Sequence, residues 1–531
     1  MHRRWNPSVL LAALALSVSL VAGCTSDSDS DSSATSSAGS SAPANPATVS
    51  GVDIPDGRID DAVGRLDELA EELMQSSGVP GMAVAVVHGD ETVYAKGFGV
   101  RKVGSDEKVD ADTVFQLASM SKPVGSTVVA HQVGTGVIGW DTPVASALPG
   151  FALADPWVTE HVTVGDLYSH RSGLPDHAGD RLEDLGYTQQ QVLEKLRLEP
   201  LAPFRITYEY TNFGLTAGAE AVAAASGTDW ATLSEQALYQ PLGMESTSSR
   251  FADYEASANR STGHMLVDGQ YVAQAVRNPD AQSPAGGVSS SVNDLSKWLT
   301  MLLADGTYQG KAIVDAEALR PALTPQVVSS PPSSPDARAG SYGYGFNIST
   351  TAAGRVSISH SGAFILGAAT TFLAIPSADV AIVALTNGTP TGMPETLTAE
   401  FADLVQFGEI REDWKALYAR VFAPMMAPEG TLAGKGAPPD PAPAQPLPSY
   451  VGTYNNAFWG PAVVADNGGE LTVQLGPAGQ SSPLKHWDGD TFTFTLSGEN
   501  APPGTVSQAT FAGNDLTLEY YDENGQGTFV R

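Results

Sequence analysis

Two residues set the first question. Ser119 and Lys122, in Ser119-Met120-Ser121-Lys122, lie three apart at the head of an apolar stretch with Pro123 directly behind them. Proline is at home in the first turn of a helix, where its missing N–H would be unpaired anyway. On a helix, residues three apart share a face, so the lysine amine can lie beside the serine hydroxyl. A helix start also leaves backbone N–H groups free around that hydroxyl. This is the equipment for nucleophilic attack by an activated serine. The spacing alone is weak, because Ser105/Lys108 and Ser482/Lys485 share it. The first pair reads as a charged hairpin loop and the second as strand, and neither opens a helix. Tyr210-Thr211-Asn212 places a phenol and an amide two residues apart, so an extended backbone aims both to one side. His360-Ser361-Gly362 ends an apolar run, where an imidazole, a hydroxyl and unhindered backbone can face a substrate. Taken singly, Tyr210 reads equally as a core tyrosine, His360 as a strand-end cap, and His170 and His177 as surface loop residues. Asp176 and His177 could pair on a metal, but no third ligand has convincing spacing, so no metal or other cofactor is expected.

The elements that must position these groups follow from periodicity. Ile59, Val63, Leu66, Leu69 and Leu73 recur at helical spacing before Gly78. A hairpin over 82–97 follows, turning at Gly89-Asp90. Residues 121–133, 215–225 and 292–303 read as helices, the last behind a Ser291 cap. Residues 356–360, 368–374 and 380–386 read as three consecutive strands. Strands at both ends with helices between predict an α+β fold: one antiparallel sheet with flanking helices and a helical subdomain.

The order and spacing of Ser119–Lys122, Tyr210–Asn212 and His360–Gly362, with Leu167-Tyr168-Ser169-His170-Arg171-Ser172-Gly173-Leu174-Pro175 and Ser283-Pro284-Ala285-Gly286-Gly287-Val288 between them, resemble the serine β-lactamase/penicillin-binding-protein-like hydrolases of the class C type. That group includes D-aminopeptidases, D,D-carboxypeptidases and esterases. The resemblance covers about residues 58–410. It implies acyl transfer, with Ser119 as nucleophile, Lys122 as its activating partner and Tyr210 as the proton shuttle to the leaving group. For Tyr210 to act as a base, its pKa would have to be lowered, by Lys122 in this reading. Which of Lys122 and Tyr210 takes the first proton stays open. Asn212 would orient Lys122 and the substrate, and the N–H groups of Ser119 and Ala363 would form the oxyanion hole. His360, Ser361 and Gly362 would bind or orient substrate, and the 170–175 stretch would shape the cleft. One departure is His360, where many relatives have a carboxylate-anchoring lysine. Histidine is only partly charged near neutrality, so carboxylate anchoring is expected to be weaker, which puts penicillinase activity in doubt. No G-x-S-x-G is present, which removes the α/β-hydrolase alternative. The competing readings are a non-catalytic binding lipoprotein on the same fold and a genuine class C-like β-lactamase.

The rest of the chain sets the context. From Tyr450, eight short alternating segments divided by turns predict an up-and-down barrel or sandwich of about 83 residues. The strand sequence resembles the lipocalin-like domain appended to such hydrolases, implying a lid, oligomerisation or substrate-restricting role, against a plain stability module. At the other end, basic His2-Arg3-Arg4 precede a thirteen-residue apolar run that spans only about 20 Å, so it reads as a secretory leader and not a membrane span. Leu20-Val21-Ala22-Gly23-Cys24 resembles a bacterial lipobox, and Cys24 is the only cysteine of the 531 residues. The expected order is a leader over 1–23, a flexible Ser/Asp/Ala/Pro spacer over 24–50, a hydrolase domain over 51–423, a Pro/Ala-rich linker over 424–448 and the β module over 449–531. The enzyme would then sit outside the cytoplasm on a lipid attached to Cys24, acting on a small-molecule or peptide substrate. A formal charge of −31, from 28 basic and 59 acidic residues, argues against nucleic-acid partners. The oligomeric state is not legible.

Overall fold

The computed structural model describes residue 47, residues 49–273 and residues 277–531. The leader, Cys24 and nearly all of the spacer lie outside the described residues. Among the described residues no helix is long and apolar enough to cross a membrane.

Helix α1 (Leu66–Ser77) buries Leu66, Leu69, Ala70 and Leu73, the i, i+3, i+4, i+7 stripe of an amphipathic helix, and ends at Gly78 with φ 71°. Strands β1 (Gly81–His88) and β2 (Glu91–Gly99) form the expected hairpin. Seven of the eight β1 residues are buried. Met82, Val84 and Val86 enter the core beneath α1, while Ala83, Ala85 and Val87 enter the core of the helical half. A continuous apolar run is what a strand covered on both faces requires.

The central helices are α2 (Ser121–Gly134), α3 (Asn212–Ser226) and α4 (Val292–Leu303), close to the predicted spans. Ser291 caps α4 by accepting the Asp294 N–H. Six further strands complete the sheet: β3 (Val327–Ser330), β4 (Gly340–Tyr342), β5 (Asn347–Thr350), β6 (Val356–Phe364), β7 (Ala368–Ile375) and β8 (Val380–Thr386). Their order is β2-β1-β8-β7-β6-β5-β4-β3, antiparallel throughout. The N-terminal hairpin thus joins the C-terminal strands, as predicted. Helix α5 (Met393–Phe407) covers the outer face beside α1.

One detail of this sheet makes the cleft. Strand β5 pairs with β6 only from Val356 to Ser359. From His360 onward that edge of β6 has no strand neighbour and packs against the turn Ala118–Met120.

The C-terminal part is a closed barrel of eight sequential antiparallel strands, β9 (Gly452–Asn456), β10 (Gly460–Asp466), β11 (Leu471–Leu475), β12 (Gln480–Asp488), β13 (Thr491–Thr495), β14 (Val506–Ala512), β15 (Asp515–Leu518) and β16 (Thr528–Val530). Alternate residues point inward, so Tyr454, Val473, Phe492, Phe511 and Phe529 fill it. The Pro-rich stretch before it is strapped to the barrel: Val506 N–H donates to the Glu429 carbonyl (3.0 Å), Thr431 N–H to Glu519 (3.0 Å) and Ala442 N–H to Asp488 (2.6 Å).

Candidate active site

Ser119 lies in the 3-10 turn Ala118–Met120, which runs into α2. The turn is tight. Ala118 holds φ 48°, a left-handed conformation that is uncommon for a residue with a Cβ. Leu117 anchors it, its N–H donating to Val288 (2.9 Å) and its carbonyl accepting from Thr370 Oγ1 (2.7 Å).

Lys122 is fully buried. Its Nζ lies 3.1 Å from Ser119 Oγ, 2.6 Å from Asn212 Oδ1 and 3.0 Å from the Ala285 carbonyl. Its pKa falls from 10.5 to about 7: desolvation lowers it most, Asp180 opposes, and the Arg277 charge adds to the fall. The contact set fixes a direction. Asn212 Nδ2 donates to Asp180 Oδ2 (2.7 Å), so its Oδ1 can only accept from Lys122, and the Ala285 carbonyl also only accepts. A neutral amine directs its two N–H bonds to these acceptors and its lone pair remains for the Ser119 hydroxyl. Asp180 is 3% exposed and also accepts from His177 Nδ1 (2.8 Å). Asp180→Asn should lower kcat about tenfold by freeing the Asn212 amide to turn, read in steady-state kinetics.

The ring of Tyr210 lies 4.5 Å from Lys122 Nζ. Burial raises the phenol pKa well above 10; the nearby Ser119 hydroxyl lowers it, and Asp180 and Asp176 raise it. The expected lowering by Lys122 is not found. Burial of the phenol outweighs any help from the amine, and the carboxylates behind Tyr210 act in the same upward direction.

His360 faces the cleft side but is closed in, 4% exposed. Its Nδ1 donates to the Ser361 carbonyl (2.7 Å) and its Nε2 accepts from the Tyr342 hydroxyl (2.8 Å). Burial, then the Lys122 charge, takes its pKa to about 3. It is neutral, with both nitrogens engaged. Ser361 corrects the expectation that its hydroxyl meets substrate. With His360 and Gly362 on the inner face of β6, strand alternation turns Ser361 outward, where it donates to Thr371 Oγ1 (3.1 Å) and meets Glu395 of α5. Gly362 presses on the turn Ala118–Met120, and Ala363 follows it at the open edge of β6.

His170 is no surface residue. It is 1% exposed, packed among Tyr208, Tyr210 and Tyr342, and accepts the Thr211 N–H at Nδ1 (3.2 Å). Half-exposed His177, despite the cost of desolvation, is raised to about 9 by Asp176 and Asp180. Among the described residues no group of three or more His, Cys, Asp or Glu side chains could hold a metal ion. Sequence reasoning missed Asp180, the Ala285 carbonyl as an acceptor for Lys122, Tyr342 and Arg277. Only the Ser283–Val288 stretch around Ala285 had a signal.

Residues 66–407 match the family described as Beta-lactamase. The chain belongs to the beta-lactamase family. Residues 437–528 match a domain of unknown function, DUF3471. Among its relatives, this beta-lactamase-family protein is 27% identical over 488 residues to an unguisins hydrolase of Aspergillus violaceofuscus, covering 85% of each chain. It is 26% identical over 251 residues to the D-alanyl-D-alanine-carboxypeptidase/endopeptidase AmpH of Escherichia coli, covering 46% of this chain and 63% of the relative. Among solved structures, an octameric penicillin-binding protein homologue from Pyrococcus abyssi aligns with TM-score 0.59 and 20% identity over 88% of this chain and 100% of that one. A class C beta lactamase from Rhodobacter sphaeroides aligns with TM-score 0.53 and 20% identity over 65% and 98%. At these identities the structures speak for the fold. The family is one of serine hydrolases in general.

Proposed function

We propose that this protein is a serine hydrolase that cleaves a peptide amide or ester through an acyl-enzyme on Ser119, outside the cytoplasm. The observation that carries the reading is the Lys122 contact set: a buried amine near neutrality whose N–H bonds are committed to two pure acceptors, leaving its lone pair for Ser119. Lys122 takes the Ser119 proton as Oγ bonds to the substrate carbonyl carbon, and the carbonyl electrons move onto oxygen, held by the N–H groups of Ser119 and Ala363. As the tetrahedral centre collapses, the leaving group departs with the Tyr210 proton, which Lys122 replaces. Water then attacks the ester, and the same groups return the proton in reverse. The neutral phenol of Tyr210 suits it to be this acid and leaves the first base step to Lys122.

Relatives named as an unguisins hydrolase and as a D-alanyl-D-alanine-carboxypeptidase/endopeptidase support an amide or peptide substrate. The neutral, enclosed His360 offers a substrate carboxylate no charge, which favours esters and amides without one over β-lactams. Placement outside the cytoplasm, with lipid on Cys24, rests on the sequence of the leader.

The test is a fluorophosphonate adduct read by intact mass, expected on the wild-type chain and missing in Ser119→Ala, together with rates on p-nitrophenyl esters, D-amino-acid amides and nitrocefin. Esters should outrun nitrocefin. No adduct and no turnover of any ester would leave the non-catalytic binding protein as the reading, and nitrocefin outrunning esters would overturn the argument from His360.

A further inference from the structure

The barrel touches the catalytic half at many points, and one loop differs from the rest in what it reaches. Between β13 and β14, residues 497–501 leave the barrel and reach the hydrolase half, beside a cavity of about 250 Å³ lined in part by Glu183, Arg277, Leu366 and Tyr521. Two neighbours on this loop grip opposite walls. Glu499 accepts the N–H of Ile365 at Oε1 (2.9 Å) and that of Leu366 at Oε2 (3.3 Å), the two backbone donors at the tip of the β6–β7 hairpin. That hairpin carries His360–Ala363 along the nucleophile turn. Asn500 donates from Nδ2 to the Asp180 carbonyl (3.2 Å) and to Asp184 Oδ2 (3.0 Å), and from its backbone N–H to Asp184 Oδ2 (3.2 Å). That short helix, Asp180–Asp184, carries the carboxylate that fixes Asn212 and, through it, Lys122.

Buried donors at a hairpin tip need partners, and a carboxylate taking two N–H groups at once forms the stronger, charge-assisted kind of bond. Burial raises the Glu499 pKa to about 7, while buried Arg277, paired with Glu183 at 2.6 Å, and the two N–H bonds favour its carboxylate form. The sheet wall supplies Gly362 and Ala363, and the helical wall supplies Asp180, Asn212 and Lys122. The bond chains through Glu499 and Asn500 join the two walls across the cleft.

We propose that the 497–501 loop is a positioning clamp for the acyl-transfer centre: Glu499 sets the β6–β7 hairpin and Asn500 sets the Asp180–Asp184 turn, so the barrel holds the oxyanion wall and the lysine wall in register. This rests on the acyl-transfer reading of Ser119, and it gives the barrel a task distinct from covering the cleft. A cover that only restricts substrate size makes no difference to a small ester, or slows it, so loosening the cover leaves its rate unchanged or raised. A clamp predicts the reverse.

The experiment uses the full chain and a small p-nitrophenyl acetate-type ester. Glu499→Ala and Asn500→Ala should each lower kcat on the order of ten- to a hundredfold, the penalty for reacting groups displaced by fractions of an ångström, with KM changed less than about threefold. Glu499→Gln keeps one acceptor and should fall between. Hydrogen exchange followed by mass spectrometry supplies a readout independent of turnover. In Glu499→Ala, residues 360–368 should lose protection while residues 452–475 of the barrel keep theirs, which separates a released clamp from an unfolded domain. Small-ester kcat unchanged or raised in both alanine variants overturns the proposal, as does unchanged protection at 360–368 in Glu499→Ala. Should the wild-type chain itself neither turn over esters nor take the fluorophosphonate, the acyl-transfer reading fails, and the exchange measurement still decides whether Glu499 holds the hairpin.

Discussion

Lys122→Arg should abolish turnover, lowering kcat/KM by about a thousandfold or more, the range a positioned general base supplies. The substitution keeps a cation at the position and removes the one property the site depends on, since a guanidinium does not give up its proton in proteins. In the wild-type chain the amine pKa is lowered from 10.5 to about 7, so the basic form prevails above that pH, where an ordinary lysine is still charged. The sign follows: kcat/KM should be level above pH 7 and fall tenfold per unit below it. Because the phenol of Tyr210 is held above its usual range, the acid it supplies persists through neutral and mildly alkaline pH, and the basic limb should lie beyond pH 10. Lys122→Met serves as the second variant, since it fits an apolar chain of similar length into the fully buried slot and removes charge and base together. Both variants should be inactive while thermal unfolding shows them folded. Activity within tenfold of wild type in Lys122→Arg, with the acid limb in place, would move the base to another group. Tyr210 would then be the candidate, against the direction of its pKa.

The parts of this machine that the sequence discloses are those encoded locally. Serine and lysine three apart, tyrosine and asparagine two apart, and the alternating segments after Tyr450 each report a short-range geometry, and the helices lie within a few residues of their predicted spans. The eight barrel strands were readable because each contributes its own inward stripe. What was not legible is tertiary. Asp180 and Tyr342 reach the site from segments without periodicity, and the Ala285 carbonyl is a backbone atom that no side-chain pattern reveals. Strands β3 to β5 passed unnoticed because they are short, Ser-rich and close to the sheet edge. The misreadings have the same origin. His170 looked exposed because its neighbours in sequence are polar, yet its neighbours in space are three tyrosines. A substrate role for the Ser361 hydroxyl fails because strand alternation keeps it off the face of His360 and turns it to Thr371.

Gly362→Ala should be nearly as damaging as loss of the lysine, with no chemical group removed. A Cβ at this position would stand 2.0 Å from the Leu117 carbonyl oxygen, 2.4 Å from Thr370 Oγ1 and 3.0 Å from the Met120 N. Thr370 can rotate aside, at the cost of its bond to Leu117. The backbone of Leu117 cannot move alone, because its N–H is tied to Val288 and the next residue, Ala118, already holds φ 48°. Strand β6 must therefore retreat by an ångström or more from the turn that carries Ser119, and Ala363 retreats with it. Overpacking of this kind costs about 1–3 kcal/mol of stability, whereas misplacing an oxyanion donor by that distance costs on the order of a hundredfold in rate. The prediction is thus asymmetric: a modest fall in melting temperature, a kcat/KM reduced by two orders of magnitude on p-nitrophenyl esters, and slowed fluorophosphonate labelling of Ser119. Gly81→Ala, whose Cβ would meet the Val100 carbonyl at 2.4 Å on β1, three strands away from β6 in the sheet, provides the comparison. It should cost stability without a matching loss of rate per folded molecule. Equal losses of rate in the two variants would show that Gly362 matters for the sheet alone, and that the approach of β6 to the nucleophile turn does not set the rate.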